Sequence, residues 1–380
     1  MGEITVKITM QTELSPAERK AWMVMRAENP ALYSPYFHIQ YADMIAVLRP
    51  DTAVLVAYQD GMPLTFLPYQ TPQGKIGGFA KPIGAPMTDY HGFIHSPHSD
   101  INFDDILKKS SMGAYHFAGL VSPETFSDNH IRSRNDAALM NLSQGAKAWR
   151  AAHDNSYRRS LKSLRRRIRN AETDIGTRRI QTRISDPAIF ETLIDWKRQQ
   201  FVDTGKYDVL SADWTRGLLK RLWQQDQSAG LRCDMHALYF GDHLAAIDFG
   251  LTDGSVYHSW IVAYDERLAN YSPGIQLLEG LIDQSTELGY THIDLGVGTD
   301  GYKRHYATDA IPVGSGYIAL KGPAAALSNI YDAAEKFGQK ALADIPGKMR
   351  RRYAQISACE DTASGRARAM LHAVTTSGRS

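Results

Sequence analysis

Residues 270–305 read NYSPGIQLLEGLIDQSTELGYTHIDLGVGTDGYKRH, and this stretch decides the fold of the second half of the chain. A strand ends just before it, and a short loop with Ser272, Pro273 and Gly274 opens directly into a helix. A second strand is predicted over residues 292–297. Because backbone N–H groups are unpaired at a helix N-terminus and the helix dipole is positive there, the loop predicts an anion site.

The bulk composition sets the class of protein. A length of 380 residues predicts two domains, 43% hydrophobic residues can fill their cores, and a net charge of +2 does not favour binding of nucleic acid through overall charge. The two cysteines, Cys233 and Cys359, lie far apart, which argues against a disulfide framework and a thiolate metal site. With no apolar signal segment and no membrane-length apolar run, we expect a cytoplasmic protein that needs no metal.

The first half, residues 1–148, is predicted to be one α/β unit. Asp60-Gly61 lies between two apolar runs and predicts a hairpin turn. The periodicity and the turn residues predict helices over 16–29, 36–48 and 103–110, strands over 52–59, 63–70 and 114–120, and a loop over 77–92.

The second half, residues 149–322, repeats this outline. Two helices, 187–203 and 213–225, precede strands over 234–240, 243–251 and 255–264, again with Gly-Asp and Asp-Gly turns between them. The repeated order predicts a structural duplication. Residues 323–380 are predicted to form a helical extension whose last residues, about fifteen, are a mobile tail.

A basic helix is predicted at the start of the second half, in residues 149–170, where it would link the two halves. This segment contains the sequence NSYRRSLKSLRRRIRNAE. Arg158, Lys162, Arg165 and Arg169 recur at helical spacing opposite an apolar stripe. Such a face is either simply solvated or binds a polyanion. The candidate partners are an anionic membrane surface, cyclic di-GMP, a polyanionic glycan and tRNA.

Several segments of both halves together resemble one protein superfamily. They are the Arg-rich segment above, AAIDFGLTDGSVYHSWIVAYDE, YSPGIQLLEGLI and DLGVGTDGYKRHYA, with NPALYSPYF and MTDYHGF in the first half. The chain resembles the GNAT acyltransferases, and within them a CelD-like, polysaccharide-biosynthesis branch similar to the FemAB-like proteins. The resemblance implies an α/β fold of tandem GNAT-like domains, each a mixed central sheet flanked by helices. The first domain would be degenerate and the second the acyltransferase.

The resemblance also implies an activity, direct transfer of an acyl group from acetyl-CoA or another acyl-CoA to an amine or hydroxyl. The acceptor would be a sugar or lipid-linked glycan of an exopolysaccharide precursor, cellulose-like or holdfast-like. The CoA pyrophosphate would lie on the loop of Asn270, Tyr271, Ser272, Gly274 and Ile275. Pro273 in this loop has no N–H to donate.

His258 and two aspartates are candidates for the proton acceptor. His258 lies in an apolar strand, and a histidine with a near-neutral pKa suits removal of a proton from an attacking amine. Asp248 and Asp294 interrupt apolar strands, and a buried carboxylate requires a partner. Each is therefore a site residue or a structural anchor, and His258 is a base or a core histidine.

Three further positions complete the candidate set. Tyr302 could protonate the leaving thiolate, and Lys303 could hold a phosphate or an oxyanion, unless both belong to a solvated loop. Asp89-Tyr90-His91 in the first half ends a Gly/Pro-rich loop and either contacts the acceptor or caps a turn.

Three functions follow from these features. The first is an acyl-CoA-dependent N-acyltransferase, cytoplasmic or peripheral at the inner membrane. The second is a FemAB-like transferase that uses aminoacyl-tRNA, and only in this case is a nucleic acid expected as a partner. The third is a non-catalytic, nucleotide-sensing regulator of polysaccharide synthesis, for which Pro273 and the arginine cluster would be the basis.

Overall fold

The computed structural model describes residues 3–71, 78–99, 101–226, 228–299, 301–341, 345–360 and 362–376. The chain forms two compact units. Unit 1 comprises Met1–Asn135, Ser211–Leu218 and Pro312–Ser380, and unit 2 comprises Asp136–Leu210 and Leu219–Ile311. The domain limits predicted from the sequence, at residues 148 and 322, stay a prediction.

Thirteen strands and twelve helices are present among the described residues. The strands are β1 Ile4–Met10, β2 Thr52–Gln59, β3 Met62–Gln70, β4 Phe79–Pro82, β5 Ile94–His95, β6 Ala114–Val121, β7 Ile131–Asn141, β8 Arg178–Gln181, β9 Arg232–Phe240, β10 His243–Thr252, β11 Val256–Tyr264, β12 His292–Val297 and β13 Asp309–Ala319. The helices are α1 Pro16–Glu28, α2 Ile39–Leu48, α3 Phe103–Lys109, α4 Gly145–Ala151, α5 Asn155–Asp174, α6 Pro187–Asp203, α7 Asp213–Trp223, α8 Pro273–Leu288, α9 Lys303–Tyr306, α10 Gly322–Ala341, α11 Ile345–Cys359 and α12 Ala363–Thr376.

The strands of unit 1 follow the order β1-β2-β3-β4-β6-β13, and β5 pairs with β3. Neighbouring strands are antiparallel except β4 and β6, which run parallel. One apolar cluster fills the space between this sheet and α3, with Phe93, Phe103 and Phe126 stacked in it.

The strands of unit 2 follow the order β7-β12-β11-β10-β9-β8, and again one pair, β11 and β12, is parallel. In both units a strand and two helices precede the antiparallel strands. This shared order confirms the predicted α/β fold of tandem mixed sheets flanked by helices.

Local sequence signals explain why the main helices begin and end where they do. Ser15 caps α1 because its hydroxyl accepts a hydrogen bond from the Glu18 N–H, and the Glu18 carboxylate in turn accepts one from the Ser15 N–H. Asp154 caps α5 in the same way, through the Ser156 and Tyr157 N–H groups. Gly289 ends α8 in the left-handed conformation that a residue with a side chain adopts at a cost.

Several predictions about individual elements were wrong. The loop predicted over residues 77–92 contains β4, and strands β1, β5, β7, β8 and β13 were not predicted. The predicted basic segment, residues 149–170, begins within α4, and all its cations from Arg158 to Arg169 lie in one helix, α5. Where a mobile tail was predicted, α12 continues to Thr376, and residues 377–380 lie outside the described residues.

Helix α8 is fixed in place by apolar packing and by one buried ionic network. Leu277, Leu281 and Ile282 are fully buried against the sheet, and each such side chain contributes about 1.5–3 kcal/mol. Behind them, the buried Glu279 carboxylate accepts bonds from Arg150 Nη2 at 2.7 Å and the Tyr157 hydroxyl at 2.9 Å. The N-terminus of α8 therefore has a defined position.

Candidate active site

Unit 2 contains an opening between its two parallel strands. Val256–His258 of β11 pair with His292–Asp294 of β12, and both strands continue past the paired segment, to Tyr264 and Val297. On the other edge of β11, Ser259 pairs with Gly250 and Ile261 with Phe249, so Trp260 is an extra residue in the ladder. Such a β-bulge bends the strand and changes where its backbone groups point.

His258 and Asp294 lie at the last paired position, side by side. His258 Nδ1 is 3.4 Å from Asp294 Oδ2, both side chains are fully buried, and Asp294 Oδ1 accepts from the Gly296 N–H at 2.7 Å. Their neighbours Tyr257 and Ile293 belong to the core cluster under α8, so alternation places this pair on the opposite face of the sheet. The structure brings the two predicted residues together, and their catalytic role stays a prediction.

Asp248 is the carboxylate to which two polar side chains of β11 donate hydrogen bonds. It accepts from the Tyr257 hydroxyl at 2.7 Å and from Ser259 Oγ at 2.8 Å. Burial raises the pKa of Asp248 to about 6, against the lowering effect of those two bonds. Tyr257 reaches it by lying over Gly250, where a Cβ would be 2.2 Å from the ring. Gly250 is therefore required by this contact.

Lys197 on α6 lies beside β11. Its ammonium donates to the Val262 carbonyl at 3.1 Å and to Gln200 Oε1 at 2.9 Å. Burial lowers the pKa of Lys197 to about 8, Lys206 lowers it further, and Asp248 acts in the opposite direction. Lys197 was not among the residues predicted from the sequence. Its signal was a charged side chain four positions from both Leu193 and Phe201, on the buried face of the helix.

Tyr302 and Lys303 begin the short helix α9. The ring of Tyr302 is 40% exposed and packs against Tyr306, with 6.1 Å between ring centres. Burial of the phenol raises the pKa of Tyr302 to about 12, and the Asp248 carboxylate adds to this effect. The Lys303 ammonium donates to the Val297 carbonyl at 3.1 Å, at the end of β12. Both residues therefore border the open end of the strand pair.

The predicted pyrophosphate loop lies beside β11. Asn270 is exposed, the Tyr271 hydroxyl donates to Asp174 Oδ2 at 2.7 Å, and Gln276 Nε2 donates to the Tyr271 carbonyl at 2.9 Å. Ser272 has φ of 57° and precedes the helix without a capping bond from its side chain. The loop is therefore held by hydrogen bonds to its neighbours, and the Ser272 side chain does not cap α8.

The helix that follows begins at Pro273, and its first turn contacts the open half of β11. A Cβ on Gly274 would lie 3.7 Å from Val262 Cγ1, and Ile275 packs on the core. The Ser272 hydroxyl accepts a hydrogen bond from Arg167 Nη1, which the sequence analysis had not associated with this loop. A positively charged side chain is thus added to the helix N-terminus at the end of the opening.

Helix α5 presents its basic side chains to solvent. Tyr157, Leu164 and Ala171 are its buried residues, and it packs against the 3₁₀ helix Glu266–Tyr271. The exposed cations are Arg158, Arg159, Lys162, Arg165, Arg166, Arg167 and Arg169. The predicted amphipathic helix is therefore present, and its partner stays a prediction.

Asp89-Tyr90-His91 forms part of the sheet of unit 1. The His91 N–H donates to the Gly119 carbonyl at 3.1 Å, and the Val121 N–H donates to the His91 carbonyl at 2.9 Å. Burial lowers the pKa of His91 to about 3. The segment thus pairs with β6 as a strand does, which neither alternative of the sequence analysis anticipated.

Two structural features are absent from the described residues. No group of three or more His, Cys, Asp or Glu side chains there is arranged to hold a metal ion. Among the same residues, no helix combines the length and the apolar character that crossing a membrane requires.

Comparison with known proteins identifies the domain that contains the site. The acetyltransferase (GNAT) domain family matches residues 158–304, which include every site residue described for unit 2. This part of the chain is a GNAT acetyltransferase domain. It is therefore an acyltransferase domain, and the predicted superfamily is confirmed. No curated protein matches the sequence.

The solved structures that are similar to this chain are distant from it in sequence. A protein of unknown function from Bacteroides thetaiotaomicron is 10% identical, with 83% of this chain and 100% of that one covered and a TM-score of 0.50. FemX is 7% identical, with 80% and 96% covered and a TM-score of 0.50. A tandem GNAT protein from the clavulanic acid biosynthesis pathway is 8% identical, with 84% and 99% covered and a TM-score of 0.45.

Proposed function

We propose that the chain is an acyl-CoA-dependent N-acyltransferase whose acceptor is an amino sugar of an exopolysaccharide precursor. The observation that carries the acyl-CoA part is the opening between β11 and β12. It has a β-bulge at Trp260, a helix N-terminus with Arg167 beside its far end, and polar side chains along it. The acceptor class rests on the resemblance of the sequence to the CelD-like branch.

The far end of the opening suits a pyrophosphate. The first turn of α8 offers backbone N–H groups at Gly274 and Ile275, and the helix dipole is favourable to an anion there. Pro273 contributes no N–H, and the nearby Arg167 guanidinium adds the charge and the donors that the loop lacks. In this proposal the guanidinium moves from Ser272 to the phosphate.

Polar side chains along the opening supply the groups for direct transfer. The acceptor amine attacks the thioester carbon, a C–N bond forms, and the C–S bond breaks with its electron pair going to sulfur. The attacking nitrogen releases its extra proton to Asp248 through the Ser259 hydroxyl, since a pKa of about 6 keeps Asp248 ionised at neutral pH. Tyr302 protonates the sulfur and regains a proton from solvent.

The buried pair of His258 and Asp294 has a different place in this scheme from that expected from the sequence. Because both side chains are fully buried, we assign them to holding β11 and β12 together where the opening begins. Proton transfer is assigned to the face of Asp248, where Ser259 is half-buried and Tyr302 is partly exposed.

Calorimetric titration of the full chain with acetyl-CoA tests the proposal. We expect micromolar binding to the unmodified protein, at least 100-fold weaker binding to Gly274→Trp, and unchanged binding to Gly274→Ala. The alanine is a matched control because its Cβ has room beside Val262. Absence of binding at high micromolar acetyl-CoA, or equal binding to the tryptophan variant, would contradict the proposal. Amide formation with glucosamine as a test acceptor then examines the acceptor class.

Aminoacyl transfer from tRNA is the second candidate function, favoured by the exposed cations of α5. It predicts salt-dependent binding of tRNA that is lost when Arg158, Arg165 and Arg169 are replaced by Glu. Titrations with tRNA and with cyclic di-GMP, run beside that with acetyl-CoA, separate the three readings of the chain. If tRNA does not bind at low salt, this second function is excluded.

A further inference from the structure

Unit 1 contains an apolar cavity of about 330 Å³ that belongs to none of the features above. It lies between the strands β4 and β6 and the helices α10 and α11, all within unit 1. The residues around it are Phe79, Ala80, Lys81, His116, Leu327, Ser328, Tyr331, Tyr353, Ala354 and Ser357. A cavity of this size with mostly apolar walls is typical of a small-ligand site.

The polar groups of the wall are few and ordered. His116 Nε2 is 2.8 Å from Ser328 Oγ, and its ring stacks on Tyr317 with 5.4 Å between ring centres. The histidine is therefore a fixed part of the wall. Among the described residues that line the cavity, Lys81 is a cation and none is a carboxylate. The charge of the wall thus favours an anionic occupant.

The mouth of the cavity exposes large apolar side chains. Leu327 is 48% exposed, Tyr331 is 60% exposed and Tyr353 is 42% exposed. Side chains of this kind gathered at one mouth lose contact with water when a chain of methylene groups enters beneath them, which favours binding.

We propose that this cavity binds the hydrocarbon chain of a single-chain anionic amphiphile, with the head group beside Lys81. A carboxylate and a phosphate head share this chemistry, so a free fatty acid and a lysophospholipid are both acceptable sources. The site is independent of the acyl transfer proposed for unit 2, since no residue of the cavity belongs to unit 2.

Titration of the full chain with dodecyl phosphate below its critical micelle concentration tests the proposal, with dodecanoate as the carboxylate arm. Dodecyl maltoside, which has the same chain and a neutral head, is the reference ligand. We expect all three to bind, and Ala354→Phe to weaken binding of each at least tenfold because the new ring fills the cavity. Ala333→Phe on α10, at an exposed position outside the lining, is the matched control and should bind normally.

Lys81→Met tests the position of the head group. Binding of dodecyl phosphate should weaken at least fivefold, while binding of dodecyl maltoside stays unchanged. No binding of monomeric dodecyl phosphate, binding only to phosphatidylglycerol vesicles, or equal binding to Ala354→Phe would overturn the proposal. So would a dimer, seen by light scattering, that Ala354→Phe abolishes, because a second copy would then cover the mouth. Acetyl-CoA affinity should be the same in all of these variants, so that failure here is distinguishable from failure of the proposed function.

Discussion

Each unit contains one pair of parallel strands, and the two units differ in what lies beside that pair. In unit 2, β11 and β12 separate beyond His258 and Asp294, and the space between them stays open. In unit 1, β4 and β6 pair at Phe79–Ala80 and Ala114–Tyr115, and then the backbone around His91 pairs with β6 near Leu120. The chain itself thus occupies the position that is open in unit 2.

The elements that follow the first parallel strand differ as well. In unit 2, α8 begins soon after β11, with its first turn against Val262 and Tyr264. In unit 1, β5 intervenes, and the next helix, α3, begins only at Phe103 and is seven residues long. One strand order therefore accommodates a site or a filled core, and the connecting segment decides between them.

The largest expected effect is on the stability of unit 1, where the chain fills the position that is open in unit 2. Gly119 has φ of 85°, and a Cβ there would lie 2.0 Å from the Asp89 carbonyl oxygen. Gly119→Ala must therefore displace the segment that fills unit 1, and we expect a loss of about 3 kcal/mol or more in the free energy of unfolding, measured by chemical denaturation.

Gly61→Ala separates this clash from the cost of the backbone conformation. Gly61 has a similar φ of 79°, and no atom lies within 4 Å of its Cβ position. Its substitution should cost only about 1 kcal/mol. Equal losses in the two variants would mean that close packing of Asp89 on Gly119 contributes nothing to stability.

Substitution of Tyr302 tests the proposed site in unit 2, where the strand pair stays open. Tyr302→Phe removes the proposed donor to the leaving sulfur and should lower kcat about 100-fold with no change in the Kd of acetyl-CoA. Tyr239→Phe, a partly exposed tyrosine of unit 2 packed under Arg179, should leave kcat unchanged. If Tyr302→Phe changes Kd and leaves kcat intact, Tyr302 binds the substrate and takes no part in proton transfer.

The two units should also respond to acid in opposite directions. Asp248, with a pKa raised to about 6, binds more protons in the folded chain than in the unfolded chain between about pH 4 and 6. Its contribution to stability therefore increases as the pH falls. His91, with a pKa lowered to about 3, binds fewer protons when folded, so its contribution decreases as the pH falls below its ordinary value of 6.5.

Denaturant unfolding at pH 7.5 and pH 5 measures how the contribution of each residue to the free energy of unfolding changes with pH. Relative to Asp248→Asn, the unmodified protein should gain about 1.4 kcal/mol on going to pH 5. Relative to His91→Phe, it should lose about 2 kcal/mol over the same range. Comparison of each variant with itself at the two pH values removes the direct cost of the substitution. Slopes of the same sign for both residues would contradict the assigned environments.

Prediction from the sequence succeeded where the hydrophobic periodicity agreed with the residues that begin or end a helix or strand. Helix α6, Pro187–Asp203, and strand β12, His292–Val297, have the predicted bounds because a capping residue, proline or glycine marks each change of pattern. It failed for β7, which begins with a run of exposed polar residues, and for β13, which contains glycine and proline. Neither strand shows a clear alternation of buried and exposed residues. Those strands are defined by their partners in the sheet.

The site was predictable in its residue types and not in its geometry. His258 and Asp294 were identified as polar interruptions of apolar strands, but their adjacency depends on the register of β11 and β12. The contact of Arg167 with Ser272 joins residues far apart in the chain through the packing of α5, which no local pattern encodes.

The smallest expected effect concerns that contact. Arg167→Ala should weaken acetyl-CoA binding about fivefold at low salt, because an exposed guanidinium adds modestly to a helix N-terminus. The loss should shrink as ionic strength rises, since screening weakens interactions between exposed charges. Arg159→Ala on the same helix is the control and should have no effect on affinity. If the two variants bind acetyl-CoA with equal affinity, α5 does not contribute to binding at the open strand pair. The difference between unit 2 and unit 1 would then depend on α8 alone.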